Sequence, residues 1–214
     1  MSVIGSNILA GSSSVVASYD IDNSLRFDAP SDSRLQRQEV GEPTSKKTFT
    51  LSCWLKINQG NPTDEGMMIL AGDVSGTEAY LWFSDSGKIK SATGPTEYFD
   101  TTAKFRDYAA WSHYVVVWDS TDSTAGDRNR LYVNGTRITD FAGTSDPTLN
   151  MDFEYLKSNA QLKIGHWTAN SSNYYNGYMA EFHVIDGQAL GPDSFGELDS
   201  ATNQWIAKEY TGTY

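Results

Sequence analysis

Three histidines, one cysteine and 27 acidic residues are the side chains from which this 214-residue chain could assemble a reactive centre. His113, His166 and His183 stand too far apart for a helical zinc motif, and no His-Glu-x-x-His, Gly-rich phosphate loop or Gly-x-Ser-x-Gly elbow occurs. No catalytic residue is visible. His183 lies opposite the apolar row of its strand, where a histidine reads as a surface or inter-sheet side chain before it reads as a ligand. Cys53, in FTLSCWLKI, alternates with Phe49, Leu51 and Leu55, which makes it a small buried hydrophobe rather than a nucleophile. A lone cysteine also rules out an internal disulfide framework and leaves the redox compartment open.

Two binding chemistries remain to weigh. Asp119, Asp122 and Asp127 share one acidic loop and Asp73 sits on another; carboxylates of this kind can hold calcium. Their spacing fits no EF-hand, and hydrated loop acids are the simpler reading. No other cofactor is implied. The loop GHWTANSSNYYNG, residues 165–177, sets Trp167, Tyr174 and Tyr175 beside Asn170, Ser171 and Asn173. Aromatic faces meet sugar C–H groups while amides bond hydroxyls, so this composition suits a glycan; it equally suits an aromatic rim packed on the domain or on a neighbouring subunit.

The elements that must position these residues read as strands. Aromatic residues make up 13% and charged residues 20%, a balance that suits a β-rich protein. A net charge of −11 would repel a phosphate backbone, which argues against nucleic acid as a partner. No stretch approaches 20 continuous apolar residues, so membrane insertion is not expected. Residues 1–22 are rich in Ser, Gly, Ala and Val, with the short apolar clusters Val3-Ile4 and Ile8-Leu9. They read either as a disordered terminus or as an arm that orders on a partner through those four aliphatics.

From Ser24 short β runs follow one another. Thr48–Ile57 alternates Phe49, Leu51, Cys53, Leu55 and Ile57 against Thr50, Ser52, Trp54 and Lys56, predicting one buried and one mostly wet face. MMILA, AYLWF and KIK suggest consecutive antiparallel strands, and FRDYAAW a connector with room for one helical turn. In LYVNGTRI, Asn134-Gly135 tolerates the positive φ angles of a two-residue hairpin. YNGYMAEFHVIDGQAL, residues 175–190, is the strand around which the chain is organised. Its apolar row Tyr178, Ala180, Phe182 and Val184 is expected to face the core. Pro192 stands where a short helix could start. About a dozen strands without a period-3.6 segment predict an all-β fold of two antiparallel sheets packed face to face. The sandwich is expected over 23–195, with 196–214 as an extension packed on it and leading into further chain in a longer parent.

Trp111-Ser112-His113-Tyr114, then LYVNG at 131–135, KIG at 163–165 and YNGYMAEFHVIDGQAL together resemble the laminin G-like and concanavalin A-like jelly-roll superfamily over residues 111–190. MSVIGSNILAG, YDIDNSLRFD, DGQAL and SFGELDSATNQWIAKEYTGTY resemble structural proteins of tailed, marine-type bacteriophages. The resemblance implies a jelly-roll sandwich on a virion, as a fibre, decoration or adaptor module. It implies other virion proteins as partners through the arm, and a homo-oligomer such as a trimer, although no heptad run fixes the number. The loop at 58–66 is individual and is expected to carry specificity. Related jelly-roll glycanases of the laminarinase type use a Glu-x-Asp-x-(x)-Glu strand. The nearest approach here, Glu197-Leu198-Asp199, has no following Glu. The favoured reading is therefore a non-enzymatic virion protein. A host-surface glycan-binding lectin is the alternative and a polysaccharide hydrolase the least favoured.

Overall fold

The computed structural model describes residues 19–37, 41–58, 67–74, 77–84, 86–156, 158, 161–167 and 173–214, with backbone alone at Asp73, Val74 and Thr77. Numbered along the chain, fifteen strands are present among them: β1 (Leu25–Phe27), β2 (Leu35–Arg37), β3 (Thr48–Ile57), β4 (Met67–Val74), β5 (Thr77–Phe83), β6 (Ile89–Thr93), β7 (Thr96–Thr101), β8 (Ser112–Asp119), β9 (Asn129–Val133), β10 (Thr136–Ile138), β11 (Phe141–Thr144), β12 (Gln161–Ile164), β13 (Gly177–Asp186), β14 (Gly196–Leu198) and β15 (Trp205–Ala207). They form an antiparallel six-stranded sheet, β1-β13-β3-β8-β9-β10, and a seven-stranded sheet, β11-β7-β6-β5-β4-β12-β2. β14 and β15 pair separately. The all-β, two-sheet sandwich expected from the alternation is what forms. No helix among the described residues is long and apolar enough to cross a membrane.

Between the sheets lies one core. Phe49, Leu51, Cys53, Leu55 and Ile57 of β3 meet Tyr114, Val116 and Trp118 of β8 from one side and Leu81 and Phe83 of β5 from the other. Phe49 stacks on Trp118 with ring centroids 4.2 Å apart. Tyr155, from the connection between β11 and β12, closes this end 4.8 Å from Trp118. Burial pushes the Cys53 thiol pKa well up, as befits an inert core residue. The Asn134-Gly135 turn has φ of 47° and 77°, and both positive values match the hairpin twist. Pro192–Ser194 forms a short 3-10 turn, whereas FRDYAAW forms no helix; Asp107 instead accepts hydrogen bonds from the Ala109 and Ala110 amides.

Two expectations about faces are corrected. In β13 the pairing jumps from Ala180↔Trp54 to His183↔Ser52, so Glu181 and Phe182 share a single partner position, and Glu181 takes φ 46°. This bulge reverses the side-chain phase. Met179 enters the core before it and Phe182 and Val184 pack there after it, while Tyr178 is exposed and Ala180 faces away. The row Tyr178, Ala180, Phe182 and Val184 therefore does not share one side. At its start, Gly177 has φ 150° and its Cα lies so near the Lys56 carbonyl that a Cβ would collide with it.

The second face of β3 is not wet either. Thr50, Ser52 and Trp54 are buried because residues 188–214 lie across the outer face of the six-stranded sheet. Thr50 Oγ1 donates to the Gln188 carbonyl at 2.7 Å and accepts from the Leu190 amide at 2.9 Å. Val115, Val117, Ile185 and Phe195 form a second apolar cluster under this segment, and Trp54, Ala180 and Ala207 a third, joined by Tyr19 and Ile21. Fully burying such side chains stabilises by about 1.5–3 kcal/mol each.

Candidate functional site

The two outer faces differ. On the six-stranded sheet the covering segment is pinned through His113, which is 1% exposed. Trp205 Nε1 donates to His113 Nδ1 at 2.9 Å, so the remaining proton sits on Nε2 and points at Ser52 Oγ, 2.8 Å away. The imidazole lies stacked between Trp54 (5.0 Å, 21°) and Trp205 (6.1 Å, 17°). Burial, with His183 adding repulsion, lowers its pKa to about 3. His113 is a neutral structural residue. His183 is held under the same segment by Glu181 at 3.2 Å and by the Tyr214 hydroxyl at 2.9 Å. Burial lowers its pKa, partly offset by Glu181.

The outer face of the seven-stranded sheet carries a cleft. Along β5, Ala79, Leu81 and Phe83 enter the core, which puts Glu78, Tyr80 and Trp82 outside. Tyr80 lies opposite Ala71 of β4 and Ala92 of β6, and Trp82 opposite Met68 and Lys90. Small neighbours on both sides leave space around the Tyr80 ring. Trp167, arriving after β12, donates from Nε1 to Glu78 at 2.9 Å and meets Tyr80 edge-on at 5.3 Å. The Tyr80 hydroxyl donates to the same carboxylate, and its ring is edge-on to Trp82 at 6.3 Å. The three aromatic residues, with Lys90, Glu97 and Asn173, line an open cleft of about 490 Å³.

Charge in the cleft is paired. Lys90 Nζ lies 3.0 Å from Glu97 and 3.4 Å from Asp100, and Lys88 lies 3.0 Å from Asp100. Burial disfavours the Lys90 ammonium, but the two carboxylates outweigh that and hold its pKa above the usual lysine value. The carboxylates Glu78, Glu97 and Asp100 on this face are thus all engaged by donors or cations. Aromatic rings beside amide and charged groups suit a ligand with both C–H faces and hydroxyls.

Of the loop expected to bind sugar, Trp167 reaches this cleft and Asn173 lines it while 2% exposed. Tyr174 and Tyr175 do not: Tyr174 is buried against His166 at 4.3 Å, and Tyr175 is a core residue 5.9 Å from Phe27. Asn170 and Ser171 fall outside the described residues, as do Val3, Ile4, Ile8 and Leu9 and positions 59–66 of the loop expected to carry specificity. The acidic residues are not brought together. Asp119 accepts from Thr121, Asp122 from the Thr124 amide, and Asp127 pairs with Arg137 at 2.5 Å. Asp73 belongs to the other sheet, and among the described residues no group of three or more His, Cys, Asp or Glu could hold a metal. Tyr80, Trp82, Lys90 and Glu97 were not singled out from the sequence, although AYLWF and KIK alternate as these faces require.

A family model for a laminin G domain, described as the concanavalin A-like lectin/glucanases superfamily, matches residues 30–194. The chain belongs to that superfamily. Among solved structures this superfamily member is similar to domain 4 of AbnA, a GH43 extracellular arabinanase from Geobacillus stearothermophilus, in complex with arabinotriose. Identity is 18% and the TM-score 0.49, over 75% of this chain and 69% of that one. It is also similar to a native heptameric SAP-like pentraxin from Limulus polyphemus, with 15% identity and a TM-score of 0.48 over 71% and 68%. The Ruminococcus gnavus IT-sialidase CBM40 is 13% identical, with a TM-score of 0.46 over 74% and 95%. Human adhesion G-protein coupled receptor D1 is 35% identical over 83 residues, which are 39% of this lectin-like chain and 8% of that receptor.

Proposed function

We propose that this lectin-like domain is a non-enzymatic binding module that takes a host-surface glycan in the cleft over the seven-stranded sheet. The carrying observation is the cleft itself, where Tyr80, Trp82 and Trp167 meet around a fixed carboxylate. Rings held by packing and by hydrogen bonds to Glu78 lose little freedom when a sugar stacks on them. Membership of a superfamily that includes lectins supports this reading. A hydrolase would need one cleft carboxyl to carry a proton for the leaving group, whereas Glu78 and Glu97 face donors here and Asp100 is paired with Lys88.

In this reading the module is displayed on a tailed-phage virion. It contacts other virion proteins through residues 1–22 and works in several copies, whose joint engagement would offset weak single-site affinity. The likeness of residues 1–11, 19–28, 186–190 and 194–214 to phage structural proteins supports that part. The test is a glycan array probed with the labelled full chain. The expected result is a defined set of binders, with Trp82→Ala weakening them by roughly tenfold or more. An array without a binder, or binding indifferent to Trp82→Ala, overturns the proposal.

A further inference from the structure

We infer that the cleft selects uncharged glycans and turns away anionic ones, and that Glu97 sets this preference; the inference rests on the glycan-binding reading above. An anionic sugar, whether sialylated, uronic or sulfated, needs a cation or free donors to replace the water it gives up on binding. Among the described residues lining the cleft, Lys90 is the sole cation, and its ammonium is already claimed by Glu97 at 3.0 Å and Asp100 at 3.4 Å. Lys88 is itself spent on Asp100, at 3.0 Å. Lys163, placed opposite Ala71 on the same face by register, is only 8% exposed. The Trp167 indole N–H and the Tyr80 hydroxyl are turned to Glu78 instead of to an incoming anion.

The acids therefore outnumber the cations left to offer. Glu78, Glu97 and Asp100 face Lys88 and Lys90, on a chain whose net charge is −11. An incoming carboxylate would meet repulsion at short range and over the whole approach. A neutral pyranose meets none of this: its C–H face can lie on Tyr80 or Trp82, and its hydroxyls can accept from Lys90 and donate to Glu97 without breaking their pairing. Glu97 is the residue to test because its contact with Lys90 is the shorter of the two. It also sits on the exposed side of the pair, its side chain 39% accessible against 13% for Asp100.

The test is calorimetric titration of the full chain with matched oligosaccharides. The probes are a β-galactoside disaccharide and its sialylated form, and a β-glucan fragment and its uronic acid counterpart, run beside the neutral array binders and their sulfated forms. The wild type is expected to favour the neutral member of a pair by about tenfold or more in Kd. Glu97→Gln takes the nearer of the two carboxylate charges off Lys90 and should strengthen the acidic member until the ratio approaches one, and adding Lys90→Met should restore the original preference. A wild type that binds the acidic member as well or better, with binding still lost in Trp82→Ala, overturns this inference and leaves the glycan reading standing. An unmoved ratio in a Glu97→Gln protein with wild-type melting also overturns it, and the wild-type ratio decides should that variant fail to fold. Binding of neither member overturns the glycan reading and this inference with it.

Discussion

His113 shows how much one side chain can fix. Its ring is bonded at both nitrogens and faced by two indoles, so the neutral form alone fits. With the folded pKa lowered to about 3 from an unfolded value near 6.5, the unfolded chain binds the proton first between those values. The stability this group contributes is full above about pH 6.5 and is lost as pH falls toward 3, by at most about 1.4 kcal/mol per pH unit. Melting temperatures measured from pH 7 to 4 should fall on acidification, and His113→Gln should flatten part of that slope while lowering the neutral-pH value. An unchanged slope would refute this account. The sequence excluded His113 from a zinc motif but did not reveal its bonds, because Ser52 and Trp205 lie 61 and 92 positions away. Cys53 was legible because its burial follows from local alternation. Tyr174 and Tyr175 were not, since aromatic composition in a loop does not say which way a ring turns.

Elements were legible where a local rule governs them. The Asn134-Gly135 hairpin and the inward row of β3 are two such cases. They were illegible where one residue changes the phase, as at Glu181, or where a distant segment covers a face that alternation marks as wet. Tyr155 is a third kind of miss: it fills the core from a connection with no strand pattern at all. The covering segment carries a prediction of its own. Ending the chain after Leu190 removes Phe195, Trp205 and Tyr210 and uncovers Val115, Val117, Ile185 and Trp54. At about 1.5–3 kcal/mol for each side chain returned to water, the loss is comparable with a typical domain's total of roughly 5–15 kcal/mol. Scanning calorimetry should show the cooperative transition lowered by more than about 10 °C or abolished, with strong ANS binding. A truncated chain that melts like the full one would contradict the structure.

For the molecule as a whole, class and architecture were readable because alternation recurs in many strands and its errors average out. The cleft was not, because it is assembled from β4, β5, β6, β7 and the chain after β12, and no single window of sequence contains it. Residues 1–18 lie outside the described part, and the core closes without them. Deleting them should leave the melting temperature within about 2 °C, because the core between the sheets is built from residues 27–179. In the proposed setting it should also sharply reduce incorporation into particles, scored by quantitative mass spectrometry of purified virions. Undiminished incorporation would remove the docking role from Val3, Ile4, Ile8 and Leu9.

Tyr19 and Ile21 sit against Trp54 and Ala207, and Tyr214 reaches His183, so both extremities of the described fold rest on the six-stranded sheet. Any tether tied to either extremity grips the module from behind. A label joined after Tyr214 would therefore start on the face turned away from the aromatic groove.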